Sequence, residues 1–145
     1  MRRAIVAIIL ASGMAAGAAA LQPPTVPSLR TEGGVVSGVP GRDTSIAVYK
    51  GIPYAGAPVG SGRWSAPGPV VPWKGVRSGA RFGASCIQVM VEDVMPVTKE
   101  FMAFGDVSED CLFLNVWTPA KSRSEKRPVF VYLHGGGFTG GSGQV

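Results

Sequence analysis

One histidine, two cysteines and only 16% charged residues give this chain a thin supply of the side chains that most chemistry uses. Low charge beside 46% hydrophobic residues excludes intrinsic disorder, which needs the opposite balance. Glycine (21) and proline (12) are plentiful among the 145 residues, but no Gly-X-Y period accompanies them, so a collagen-like rod is excluded. No internal repeat is visible. No segment carries a 3.6-residue apolar period over three turns, so a covering amphipathic helix is missing. Charge of one sign is scarce too. The formal +5 falls to +3 when Arg2 and Arg3 are set aside, leaving 12 basic against 9 acidic residues, too mild for a nucleic-acid surface. The length is that of one domain or a piece of one.

Ala4 to Leu21 carries no charge. Arg2 and Arg3 precede it, Ala4 to Leu10 is uninterrupted apolar sequence, and Ala18-Ala19-Ala20 offers a small-residue cleavage pattern. This predicts a signal peptide over residues 1–20. The competing reading is a membrane anchor. Its second half, however, is mostly Ala and Gly, which insert poorly, and Leu21-Gln22-Pro23-Pro24 follows at once. No cysteine follows the apolar run until Cys86, which argues against a lipoprotein. The mature chain is therefore expected to start near Leu21, to be exported to the periplasm or beyond the cell, and to keep no stable membrane span.

Export gives the cysteines a meaning. In an oxidising compartment Cys86 and Cys111 have one possible pairing, and a bridge between them would stabilise the fold by about 3.5 kcal/mol in the chain-entropy picture. The alternative is two buried free thiols.

Residues 21–30 form a Pro-rich lead-in, expected to be extended and mobile. Val35-Val36 and Ile46-Ala47-Val48-Tyr49 read as two short strands, paired antiparallel across a polar turn. From Gly51 to Pro72 the density of Pro and Gly forbids a regular element longer than a few residues. Tyr54, Trp64 and Trp73 lie in or beside this stretch, so it is expected to be an ordered coil that packs against something. Pro96 interrupts any helix between Ile87 and Phe104, which reads as the irregular body of the disulfide loop. Leu112 to Trp117 is a strand ended by Thr118-Pro119, and Lys121 to Arg127 is a charged, solvated turn. Pro128-Val129-Phe130-Val131-Tyr132-Leu133 is nearly continuous apolar sequence, the pattern of a strand buried on both faces of a parallel sheet.

His134-Gly135-Gly136-Gly137-Phe138 follows that run directly. Without Cβ atoms the backbone can take positive φ and bring its N–H groups close to a ligand, which suits a phosphate or a developing oxyanion. A phosphate loop would want Lys-Ser or Lys-Thr after the glycines, and neither is present. Strand followed by His-Gly-Gly-Gly instead matches the oxyanion-hole loop of lipases and esterases. The bland alternative is a glycine-rich turn with no chemical role.

Glu109-Asp110-Cys111-Leu112-Phe113-Leu114-Asn115-Val116-Trp117-Thr118-Pro119 resembles the signature of the type-B carboxylesterase and lipase family. The order of the flanking blocks also fits: Tyr49 to Ala55, Pro58-Val59-Gly60, Arg63-Trp64, Cys86, the signature, then the glycine triplet. The resemblance spans about Thr31 to Gly143. It implies an α/β fold, with residues 31–145 as the N-terminal part of an α/β-hydrolase in which antiparallel N-terminal strands lead into a mostly parallel central sheet. It implies hydrolysis of small-molecule carboxylic esters through a Ser–acid–His triad, with no cofactor and no metal. Carried over by position, the N–H groups of Gly136 and Gly137 would hold the oxyanion and Gly135 would shape the turn. The family also makes an ion pair beside the bridge, here Arg63 with Glu109. If that pair were buried, removing one partner would cost about 3–5 kcal/mol.

No G-x-S-x-G occurs in these residues; Gly140-Gly141-Ser142-Gly143-Gln144 fails at its last position. His134 belongs to the glycine loop, so the triad histidine is missing as well. The chain is thus expected to be an N-terminal fragment, inactive alone, that supplies the oxyanion loop. Two other classes stay open: a non-catalytic, cholinesterase-like binding or adhesion domain, and a small stand-alone interaction module. The residue at the nucleophile position would separate the first of these from an enzyme. Substrate identity and oligomeric state are not legible.

Overall fold

The computed structural model describes residues 25–88 and 105–144. The signal-peptide reading over 1–20 and most of the irregular stretch before Phe104 lie outside them. Among the described residues the chain forms short strands and one turn of 3₁₀-helix, Gly60–Gly62. The strands are β1 (Leu29–Arg30), β2 (Val35–Ser37), β3 (Val39–Pro40), β4 (Ala47–Pro53), β5 (Val76–Ser78), β6 (Ser85–Cys86), β7 (Val107–Ser108) and β8 (Phe113–Thr118).

They group as β1-β2-β5, β3-β4-β8 and β6-β7. The pairing expected between Val35-Val36 and the strand at Tyr49 is not made. β2 pairs antiparallel with β1 and parallel with β5, while β4 pairs antiparallel with β3 and β8. The reason is local. Only Gly38 separates β2 from β3, and a Cβ there would meet the Tyr49 ring at 2.6 Å. The chain therefore crosses at once from one sheet to the next. A tight turn follows, with the Gly41 N–H donating to Ile46 O (2.8 Å) and the Ser45 N–H to Asp43 Oδ1 (2.8 Å). That turn delivers β3, not β2, to the free edge of β4. β2 meets β4 instead through side chains: Val36, Tyr49 and Ile52 form the buried core, with Val26, Leu29, Trp73 and Val116 packed around them.

The lead-in is tied down where it is described. Val26 packs on that core, Leu29–Arg30 pairs as β1, and the Tyr49 hydroxyl donates to Pro27 O at 2.8 Å. Trp73 lies over Gly33 and Gly34, its indole N–H donating to Val35 O at 2.9 Å. Arg77 sits near the faces of Trp73 and Phe113 and donates from Nε to Gly51 O at 3.2 Å. Packing was also expected of Trp64, and there the structure differs. Trp64 is fully exposed and has φ 61°, so the coil around it turns the ring to solvent.

The apolar run Val129 to Leu133 departs furthest from its pattern. It pairs as no strand among the described residues, and its side chains are 70–88% exposed. An apolar run supplies two faces to bury, but burial needs neighbouring strands on both edges.

Candidate functional site

Glycines at positive φ shape the segment after Leu133. Gly136 has φ 124°, Gly137 59° and Gly141 105°, and Phe138 joins them at 63° although it is not glycine. The Thr139 N–H (3.0 Å) and Oγ1 (2.9 Å) both donate to Gly136 O, closing a turn over residues 136–139. Nδ1 of His134 lies 2.8 Å from Gly135 O, so its ring braces the loop entrance. A side chain at Gly136 would run into the Gly140 carbonyl, and one at Gly141 into the Gly135 carbonyl and His134 Nδ1. The stretch 140–141 is therefore packed directly behind 135–136. Among the described residues, no hydrogen bond uses the N–H of Gly136 or Gly137.

The far limb of the loop is held by side chains that the sequence reading passed over. Gln88 exchanges two hydrogen bonds with the backbone of Gly141. Asn115, on β8, donates from Nδ2 to Gly143 O at 3.0 Å and accepts from the Gly51 N–H at 2.9 Å. Gln144 donates to Gly83 O (2.6 Å) and Ser85 Oγ (3.0 Å). Asn115 lies inside the signature block and Gln88 two residues past Cys86. Nearness to the signature block and to Cys86 could have pointed to them, but not to what they hold.

Ser142 is no nucleophile in this arrangement. It is buried, accepting from Ser85 Oγ at 3.0 Å and from the Gln144 N–H at 3.2 Å. These bonds fix a structural hydroxyl rather than one aimed at solvent.

Cys86 and Cys111 are joined as a disulfide, with Cα atoms 4.9 Å apart. Arg63 and Glu109 form an ion pair beside it. Their side chains are 56% and 33% exposed, so the pair is a surface feature and not the buried one considered above. Bridge and ion pair tie the 3₁₀ turn and β6 to the entry of β8. Among the described residues, no group of three or more His, Cys, Asp or Glu comes together to hold a metal, and no helix is long and apolar enough to cross a membrane.

The sequence profile of the family described as "Carboxylesterase family" matches residues 25–145. The chain is 38% identical over 151 aligned residues to a medium-chain fatty acyl-CoA hydrolase precursor of Anas platyrhynchos, covering 97% of this chain and 27% of the relative. It is 40% identical over 115 residues to a fumonisin B1 esterase of Sphingopyxis macrogoltabida, covering 79% and 20%. It is 40% identical over 105 residues to a phenmedipham hydrolase of Pseudarthrobacter oxydans, covering 71% and 20%. The chain thus spans about a fifth to a quarter of the length of the relatives it matches.

Proposed function

This chain belongs to the carboxylesterase family, and from that premise we propose that it supplies the oxyanion loop of an exported serine esterase. Residues 1–20 act as the signal peptide and 31–145 as the N-terminal part of an α/β-hydrolase domain. The substrate is a small carboxylic ester. In the reaction a serine attacks the ester carbonyl carbon, a histidine takes the serine proton and later delivers it to the leaving alcohol, and the carbonyl oxygen becomes an oxyanion. The N–H groups of Gly136 and Gly137 hold that oxygen, and Gly135 shapes the turn that presents them. Serine, acid and histidine come from outside these 145 residues.

The observation that carries this reading is the pair of N–H groups at Gly136 and Gly137, both at positive φ and without a hydrogen-bond partner among the described residues, in a loop whose far limb is pinned. Donors fixed before the charge develops need little reorganisation when it forms, which is how such a loop lowers a barrier.

The test compares the complete gene product with the 145-residue chain on a p-nitrophenyl ester. The complete product is expected to turn over and to be stopped by a serine-directed organophosphate, while the 145-residue chain is expected to show only background hydrolysis. Turnover by the 145-residue chain that survives the inhibitor overturns the proposal.

A further inference from the structure

We propose that Gln88 is a positioning residue for the oxyanion loop, gripping Gly141 so that the wall behind Gly135 and Gly136 cannot move. The inference rests on the reading of the glycine triplet as an oxyanion loop.

Its basis is a two-way pairing of a side-chain amide with a peptide unit. The Gly141 N–H donates to Gln88 Oε1 at 2.7 Å, and Gln88 Nε2 donates to Gly141 O at 3.1 Å. The carboxamide thus does for Gly141 what a neighbouring strand does in an antiparallel ladder, using both backbone groups of one residue at once. Two such bonds fix orientation as well as distance. The same Nε2 also donates to Cys86 O at 3.1 Å, which orients the carboxamide from its own side. Cys86 is anchored in turn by its disulfide to Cys111. The grip therefore connects a crosslinked part of the fold to a loop 53 residues away.

What the grip reaches is the part of the loop where a shift would matter. Gly140 and Gly141 pack against the carbonyl and backbone of Gly135 and Gly136 so closely that neither Gly136 nor Gly141 has room for a Cβ. At Gly140 a Cβ would lie 2.9 Å from Gln88 Oε1, so the glutamine fills the outer side of the same wall. Asn115 and Gln144 hold the loop further on, around Gly143 and Gln144. Among the described residues, the side-chain hydrogen bonds to the residue backing Gly135 are those of Gln88. If Gly141 drifts, the Gly135–Gly136 peptide loses its support and the donor directions spread. Misplacement of about 1 Å at such a group can cost on the order of 100-fold in rate.

The experiment uses the complete gene product and three variants. Gln88→Leu keeps the bulk and removes both hydrogen-bonding functions. Gln88→Glu keeps the acceptor for the Gly141 N–H and loses the donor to Gly141 O. Gly136→Ala disrupts the oxyanion loop itself. Each is assayed for kcat and KM on a p-nitrophenyl ester and for inhibition by a trifluoromethyl ketone, which binds as a tetrahedral oxyanion. Thermal unfolding is measured alongside.

Gln88→Leu is expected to lower kcat about 10- to 100-fold with KM within about twofold, and to weaken the ketone in parallel, because the loss falls on the transition state. Gln88→Glu is expected to recover part of that loss, and both variants are expected to unfold cooperatively. If Gly136→Ala is crippled while Gln88→Leu and Gln88→Glu keep kcat and ketone affinity within twofold, the positioning role is wrong and the oxyanion loop stands. If Gly136→Ala itself keeps both, the oxyanion reading fails first. Should Gln88→Leu lose its unfolding transition, Gln88→Glu decides: unchanged kcat and ketone affinity in a folded Gln88→Glu overturns the role.

Discussion

Asn115 on β8 accepts a hydrogen bond from the Gly51 N–H of β4 at 2.9 Å, at the place where the two strands slip out of register. Tyr49 lies opposite Val116 and Ile52 opposite Leu114, so two residues of β4 face the single Asn115. An extra residue of this kind leaves a ladder group unpaired, and here a side chain takes it. Gly51 adopts φ 62°, and a Cβ on it would meet Arg81 O at 2.8 Å. The other end of the same carboxamide holds Gly143, so one residue connects the strand irregularity to the glycine loop.

Replacing Asn115 with Leu is therefore expected to destabilise the complete gene product by about 1–3 kcal/mol, the cost of leaving polar backbone groups without partners. Gly51→Ala is expected to cost more than about 1 kcal/mol, because φ is positive and the Cβ has no space. Urea denaturation measures both, and wild-type midpoints would contradict the account.

The exposure of the Arg63–Glu109 pair sets a different expectation from burial. Glu109→Gln should change stability by less than about 1 kcal/mol, as half-exposed pairs do. A loss of about 3–5 kcal/mol would mean that the pair is desolvated in the complete gene product.

Gly136→Ala is expected to lower kcat on a simple ester by about 100- to 1,000-fold, equivalent to about 2.7–4 kcal/mol of transition-state stabilisation. Both the φ of 124° and the Gly140 carbonyl oppose the added methyl. Steady-state kinetics with KM measured separately will show whether the loss falls on the chemical step.

Burial of the Tyr49 phenol pushes its pKa above the ordinary 10.0. The unfolded chain then gives up that proton at lower pH than the folded one. The stabilisation is present in full below pH 10 and is lost as pH rises through the raised folded value. Urea midpoints followed from pH 8 to 11 should fall at the alkaline end, and Tyr49→Phe should flatten the fall. That variant also removes the hydrogen bond to Pro27 O, at a cost of about 0.5–1.5 kcal/mol near neutrality.

Val129, Phe130, Val131, Tyr132 and Leu133 form an exposed apolar run with no pairing partner among the described residues. Such a segment is a template for intermolecular strand pairing. The isolated chain over residues 21–145 is expected to be insoluble or molten, and Val131→Lys should raise its soluble fraction. A soluble monomer with a sharp thermal transition would contradict this.

Local chemistry made much of the molecule legible from residues alone. β8 starts within one residue of the strand read at Leu112, because its apolar composition and the closing Thr118-Pro119 are properties of the segment itself. The charged turn at 121–127 and most of the coil read from Gly51 to Pro72 follow from what Pro, Gly and charge permit locally, although β4 runs on to Pro53. The positive φ at Gly136 and Gly137 is open to glycine because it lacks a Cβ. Partner choice was decided only in three dimensions. β2 takes β5 as its parallel neighbour from 41 residues away, while the nearer β4 already has both edges filled. Trp64 turns outward although its composition argues for packing, and the run at 129–133 stays exposed because apolar character cannot create a neighbour. Gln88 and Asn115 could have bonded any backbone within reach. Their hold on the glycine loop depends on the disulfide, the strand slip and the loop converging in space, which residue type and spacing do not encode.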